Sequence, residues 1–429
     1  MASGDFDAIV VGARVAGAAT AMLLGRAGLR VLLVDQARLP SDTLSTHQIQ
    51  LTGVALLRRW GLLDPVVASG APPARRIRLD NGPVVLDGTL PRHDGVDAIY
   101  SPRRTVLDAI LLDAARAAGV DVRLGYPARS LAFGDAGRVA GVAGRAGGVD
   151  RARLVVGADG KRSTVAEAVG SRRYRQRPPA TLACYTYWSG VPLGHGELYQ
   201  RPGRAAAAFP TNDGLTMVYV AAPLDELPAF RADPEASYLA SLDRCGDLGA
   251  RVRAGRRVER LRLAPELPQT FRVPYGPGWA LVGDAGLVMD PVSAQGIGNA
   301  LCDAERVAGA IVAGLGGAAP LDRELARARR LRDATVRPMY DFTAALARLR
   351  PAGAADRRVL AAVSARPAEV ERFLGVFSGV ESLRGYRSPG NALRLLGPRG
   401  LAGLAGDLLL SAVAVRAGTR GKGRPGGRR

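Results

Sequence analysis

Apolar and polar positions change period several times along this chain. Ala8 to Val11 is an unbroken apolar run that stops at Gly12, and Val31 to Val34 is a second that stops at Asp35. The stretch between them is small and apolar at helical length, so residues 5–35 predict a strand–helix–strand unit. Residues 41–64 predict a loop entering a helix, with Val54 and Leu57 on its apolar side and Trp60-Gly61 at its end. Residues 75–97 alternate, with Gly and Pro turns, as a hairpin does. Residues 103–118 (RRTVLDAILLDAARAA) predict an amphipathic helix. Strands are expected near 120–124 and 128–141, and a buried one at 153–157.

From 171 to 275 aromatic residues concentrate (Tyr174, Tyr185, Tyr187, Trp188, Tyr199, Phe209, Tyr219), and turn signals such as Asn212-Asp213-Gly214 separate strand-like runs. This predicts a mostly β insertion. An α/β pattern returns at 279–283 and enters a long helix after 296. Residues 321–415 are helical in pattern, with Pro338, Pro351 and Pro367 as expected breaks. Residues 401–415 are apolar; they are read as a helix docked on the core, with a weak peripheral membrane contact as the alternative. Residues 417–429 are Gly, Arg and Pro, the composition of a disordered basic tail.

The first unit suits a dinucleotide. Gly12 allows a tight turn and Gly17 lets the helix lie close to the strand. Across Gly12, Ala13, Arg14, Val15, Ala16 and Gly17, the helix start offers free N–H groups to a pyrophosphate. Asp35, with Gln36 beside it, ends the second strand where a ribose hydroxyl would be met. Arg14 stands where the usual G-x-G-x-x-G has its second glycine, so its side chain must turn away or lie along the phosphates. An ordinary α/β core unit is the other reading of this segment.

Composition narrows the partners. The 429 residues carry a formal charge of +20, yet the only lysines are Lys161 and Lys422. The arginines are spread over the whole chain with no basic run interleaved with aromatics, so a nucleic-acid partner is not expected. The cysteines (Cys184, Cys245, Cys302) and histidines (His47, His93, His195) are too scattered for a disulfide framework or a metal site. No uncharged apolar run reaches membrane-spanning length. The chain reads as a cytoplasmic protein, a monomer or dimer, acting on a small molecule.

Three separated segments now align with one pattern: GARVAG at 12–17, VVGADGKRSTVAEAVG at 155–170 and LVGDAGLVMDPVSAQGIGNALCDAERVA at 281–308. Together they resemble the FAD-dependent monooxygenases of the aromatic-hydroxylase (group A) type, within the superfamily that includes geranylgeranyl reductases and flavin halogenases. The resemblance covers residues 5–345. It implies that 12–17 cradle the FAD pyrophosphate and that Asp35 binds the adenosine ribose. It implies that Arg104, with Arg103 as rival, contacts FAD phosphate, and that Asp284 binds the ribityl chain. Gly296 and Ile297 would open a helix aimed at the flavin N1–C2 edge, where a helix N-terminus stabilises the anionic reduced ring. Asp159 would serve FAD and the NAD(P)H pyrophosphate. Pro291, in Asp290-Pro291-Val292, would lie beside the flavin ring, and Tyr185, Tyr187 and Trp188 would roof it. His47 is the candidate for proton transfer or substrate orientation. Sheet core is the alternative for the tyrosines, and a backbone-bonded loop histidine for His47.

The chain departs from the pattern at Ala166, where an arginine often stands, and at Leu287, a common histidine position. It departs again at Ser293-Ala294, in place of two glycines, and at Ser45, in place of a flavin-contacting arginine.

The resemblance therefore implies an α/β fold: a Rossmann-like FAD-binding domain (1–75, 98–170 and 272–335), an inserted mostly antiparallel β-sheet substrate domain (76–97 and 171–271) and a helical C-terminal region (336–416). The implied reaction uses NAD(P)H and O2 to hydroxylate or epoxidise an aromatic or polycyclic molecule through a flavin C4a-hydroperoxide. A C=C reductase of the geranylgeranyl reductase type is the alternative, although that branch's Tyr-x-Trp-x-Phe-Pro pattern is missing. A halogenase is disfavoured, because no lysine is suitably placed and the Trp-x-Trp-x-Ile-Pro motif is absent.

Overall fold

In the computed structural model, residues 6–38, 41, 47–144, 148–265 and 267–420 are described. The two apolar runs form parallel strands, Phe6–Val11 and Val31–Asp35, with the helix Val15–Arg26 between them. They sit centrally in a sheet of order Tyr275–Gly276, Trp279–Leu281, Val149–Gly157, Phe6–Val11, Val31–Asp35, Asp121–Leu124. All neighbours are parallel except the first pair. The stretch 128–141 resolves into two strands, Ser130–Phe133 and Val139–Ala143, because it must turn back before pairing with Val149–Gly157. The fold is α/β, as the motifs imply.

The second sheet has the order Arg256–Arg257, Thr181–Ser189, Thr216–Pro223, Arg204–Pro210, Gly196–Arg201, Arg76–Asp80, Val85–Thr89. The hairpin at 76–89 thus joins strands more than a hundred residues away, by a parallel pairing to Gly196–Arg201. Alternation decides what each face meets. Tyr185, Tyr187, Phe209, Met217 and Tyr219 join the main core. Cys184, Trp188, Val218 and Val220 face the other way, onto Phe230, Tyr238, Leu242 and Val252.

Three details correct the sequence expectations. The helices Leu227–Ala232, Pro234–Leu242 and Leu248–Ala254 interrupt the insertion, because the outer face of its sheet needs an apolar cover. Pro338 does not break its helix, which runs Leu321–Leu346; Pro351 lies in the following loop and Pro367 starts a helix. The last helix, Pro389–Arg420, extends into the expected tail, of which 421–429 lie outside the described residues. No described helix is long and apolar enough to cross a membrane.

Candidate active site

The cradle at 12–17 is built by contact distance. Gly12 has φ +106°, and a Cβ there would stand 2.5 Å from the carbonyl oxygen of Ala158. A Cβ on Gly17 would stand 1.7 Å from the carbonyl oxygen of Gly12. Neither position admits a side chain, so the turn and the helix start pack tightly against Ala158. The Asp35 carboxylate accepts from Ala13 N (2.7 Å) and Ala37 N (2.8 Å), fixing the end of the second strand against the cradle. Gln36 is exposed beside it.

Arg14 turns away from the cradle. Its guanidinium donates to Asp108 (3.1 Å) and to the carbonyl and hydroxyl of Ser41. Asp108 is fully buried and also holds Arg104 through three hydrogen bonds of 2.9 to 3.1 Å. The two rival arginines at 103 and 104 therefore part company. Arg104 belongs to the dinucleotide side, close enough to Asp284 to act on its charge. Arg103 pairs with Glu259 and lies 4.7 Å from the Tyr187 ring centroid.

Asp284 is exposed between the buried Gly283 and Ala285. Its carboxylate has no hydrogen bond or ion pair with the described residues. Desolvation raises its pKa, opposed by Arg104 and Lys161. The preceding Gly283 donates its N–H to Asp303 (3.0 Å), an acid on the buried face of the helix Gly296–Leu315. Burial raises the Asp303 pKa as well, and the buried Arg332 opposes the rise. Asp159 serves differently: it accepts from the Ser163 hydroxyl, Thr164 N (2.7 Å), Thr164 Oγ1 (2.8 Å) and Val165 N (3.2 Å). It anchors the start of the helix Thr164–Ala168.

The segment before Gly296 is a tight turn. Asp290, buried, accepts from Thr181 Oγ1 (2.6 Å) and Val292 N (3.0 Å), and Pro291 begins the turn. Ala294 takes φ +52°. Gly296 is exposed at its helix start, and a Cβ there would meet nothing within 4 Å, whereas Ile297 is buried. Protein packing does not demand glycine at 296. A tight glycine turn at a helix start, an exposed carboxylate at Asp284 and an open helix start at Gly296 together fit FAD.

His47 is buried at φ +62°, and its Nε2 lies 2.6 Å from the Tyr187 hydroxyl. Tyr185 meets the same ring edge-on at 5.3 Å. The structure thus joins two of the expected catalytic residues. It separates Trp188, which faces the other side of its sheet, stacks on Tyr238 and donates to the Tyr238 hydroxyl (3.2 Å). A side chain one position from Tyr187 in a strand cannot share its face. A cavity of about 30 Å³ lies against Val292–Ala294, under the hairpin strands and the helix Pro367–Phe377. Its walls are mostly aliphatic.

The sequence profile described as "FAD binding domain" matches residues 5–343. The chain belongs to this FAD-binding family. Aklavinone 12-hydroxylase RdmE of Streptomyces purpurascens is 33% identical over 190 residues, 40% of this chain and 36% of that protein. The digeranylgeranylglycerophospholipid reductase of Methanocella arvoryzae is 28% identical over 329 residues, 72% of this chain and 78% of the reductase. FixC of Salmonella typhi is 29% identical, and the chain spans about half (51%) of its length. Among solved structures, the probable FAD-dependent monooxygenase pqsL of Pseudomonas aeruginosa aligns at TM-score 0.69 and 22% identity, covering 87% of this chain and 99% of that one. That likeness establishes the fold. The family makes the chain an FAD-binding protein.

Asp108, Asp303 and Arg332 were not singled out by the sequence. Asp108 and Asp303 did leave a signal, each being a lone acid on the apolar side of a helical pattern.

Proposed function

We propose that this flavoprotein is a monooxygenase that uses NAD(P)H and O2 to hydroxylate or epoxidise an apolar aromatic or polycyclic molecule. FAD, when bound, supplies the hydride acceptor and the site of oxygen activation. Residues 12–17 hold its pyrophosphate, Asp35 its adenosine ribose and Asp284 its ribityl chain. The helix start at Gly296 sets positive potential against the ring edge. His47 and Tyr187 hold a proton between Nε2 and the phenol oxygen, where it is passed to or from the substrate. The observation that carries the reading is the buried His47–Tyr187 pair, with Nε2 and the hydroxyl 2.6 Å apart, beside which Gln48 lines a small, mostly aliphatic cavity.

A second reading has support of its own. The same aliphatic walls suit an isoprenoid chain, and the reductase relative aligns over most of this chain. In that case C=C reduction replaces oxygenation. Turnover under labelled oxygen gas separates the two. The monooxygenase reading expects NAD(P)H oxidation that consumes oxygen and puts one labelled atom in the product. A product that gains two hydrogens and no label, formed equally well without air, gives the function to the reductase.

A further inference from the structure

We infer that Asp303 is a positioning residue for the cofactor: by accepting a hydrogen bond from Gly283 N, it fixes the turn that presents Asp284 against the helix that opens at Gly296. The inference rests on the reading of Asp284 as the ribityl ligand.

Asp284 stands on a single turn, Gly283–Ala285, between the strands Trp279–Leu281 and Leu287–Val288. Gly286 N closes it by donating to the Gly283 carbonyl (2.9 Å). One turn is too short to hold its own shape, so its neighbours must hold it. Gly283 takes φ +58°, and a Cβ there would stand 2.7 Å from the Cβ of Ala16, so the turn rests on the helix Val15–Arg26. Gly286 lies against Arg332, whose Nη1 would be 3.2 Å from a Cβ at that position. Between these two contacts, Gly283 N makes its buried hydrogen bond to Asp303 Oδ2 (3.0 Å).

The place of Asp303 gives that bond its meaning. It lies about two turns along the helix Gly296–Leu315. One carboxylate therefore ties the backbone beside Asp284 to the helix whose start is the other contact expected for the flavin half of FAD. The chain between the two contacts runs through the short strand Leu287–Val288 and the turn Pro291–Ser293, which are too irregular to set their separation alone.

Asp303 has a second and separable task. It is 5% exposed, and burial works against its charge. Arg332, 1% exposed on the helix Leu321–Leu346, is the main charge opposing that effect, with Arg306 next. Arg332 is itself held by donating to the Tyr174 hydroxyl (3.0 Å) and the Arg272 carbonyl (3.3 Å). The oxygen of Asp303 thus serves the Asp284 turn, and its charge answers a buried arginine.

The test is titration of the FAD-stripped protein with FAD, followed by flavin fluorescence, with thermal melting of the same samples. Asp303→Ala should weaken FAD binding about 10-fold, the equivalent of one hydrogen bond. Asp303→Asn keeps an acceptor and gives up the charge. Its melting temperature should fall while its FAD affinity stays within about 3-fold of wild type. Asp303→Ser, too short to reach Gly283 N, takes the place of the alanine variant if that one folds poorly. In an Asp284→Ala background, Asp303→Ala should change FAD affinity by less than about 2-fold, because a residue that acts through Asp284 then has nothing to position. Equal losses with and without Asp284 overturn the positioning role, as does an asparagine variant that binds FAD as weakly as the alanine variant, or an alanine variant that binds as tightly as wild type. If Asp284→Ala alone keeps wild-type affinity, the reading of Asp284 fails, and the inference with it.

Discussion

The Tyr187 hydroxyl and His47 Nε2 stand 2.6 Å apart although 140 residues separate them in the chain. One comes from the inner face of the second sheet, the other from the loop that leaves the first. Both are buried, so each is the other's substitute for water.

Breaking this pair should affect stability and proton transfer together. Tyr187→Phe removes one buried hydrogen bond and should cost about 1–3 kcal/mol. In substrate-stimulated NAD(P)H oxidation, His47→Ala should lower turnover by about 100-fold or more, the usual size of a general acid–base contribution. The double variant should be little worse than His47→Ala alone. Fully additive losses across pH would show that the two residues do not act as a unit.

Asp284→Ala should loosen FAD by about 10- to 150-fold, the equivalent of a charged hydrogen bond of about 1.5–3 kcal/mol. Asp159→Ala should mainly cost stability, about 1 kcal/mol, because its carboxylate anchors a helix start. FAD dissociation constants and unfolding midpoints, measured on both variants, separate the two roles. Equal FAD affinity in both would count against Asp284 as a ligand.

Asp108→Asn should destabilise the fold by about 3–5 kcal/mol, because it leaves two arginines facing a buried site without their counter-charge. Denaturant unfolding of the FAD-free protein reads this directly. A loss below about 1 kcal/mol would mean that both guanidinium groups find solvent.

Acid should loosen the helix Pro367–Phe377 that walls the cavity. Its Glu369 is buried and makes a two-point ion pair with Arg394 (2.6 and 2.7 Å), and that hydrogen bonding holds the Glu369 carboxyl below the ordinary range. A carboxyl with a lower pKa in the folded chain gives stability that is complete above the ordinary glutamate range. That stability is lost as pH falls through the folded value. The melting difference between wild type and Glu369→Gln should therefore be largest near neutrality and shrink in acid. A difference that stays constant with pH would place the stabilisation elsewhere.

How far the sequence reaches can be seen at single residues. The runs at 8–11, 31–34 and 153–157 were legible as strands because a fully buried parallel strand is a bare apolar run, whereas 149–152 lengthens the third strand with polar residues that gave no such signal. The face shared by Tyr185 and Tyr187 followed from alternation alone. The helices at 227–254 were missed because their apolar residues are few and serve as a cover, so the β pattern around them dominates. Within the site, glycines announced themselves by spacing. The departure at Ser45 lies outside the described residues.

The shared carboxylate of Asp108 bears on how this chain can change over generations. Arg14 occupies a position where glycine is the usual solution, and its side chain is drawn aside by an acid on another helix. Replacing Arg14 by glycine would leave Asp108 with Arg104 as its remaining ion-pair partner, while losing Asp108 first strands both arginines. The two routes are unequal, so descendants should lose Arg14 before Asp108. The inequality comes from burial: the Arg14 side chain is partly exposed, and the Asp108 side chain is not.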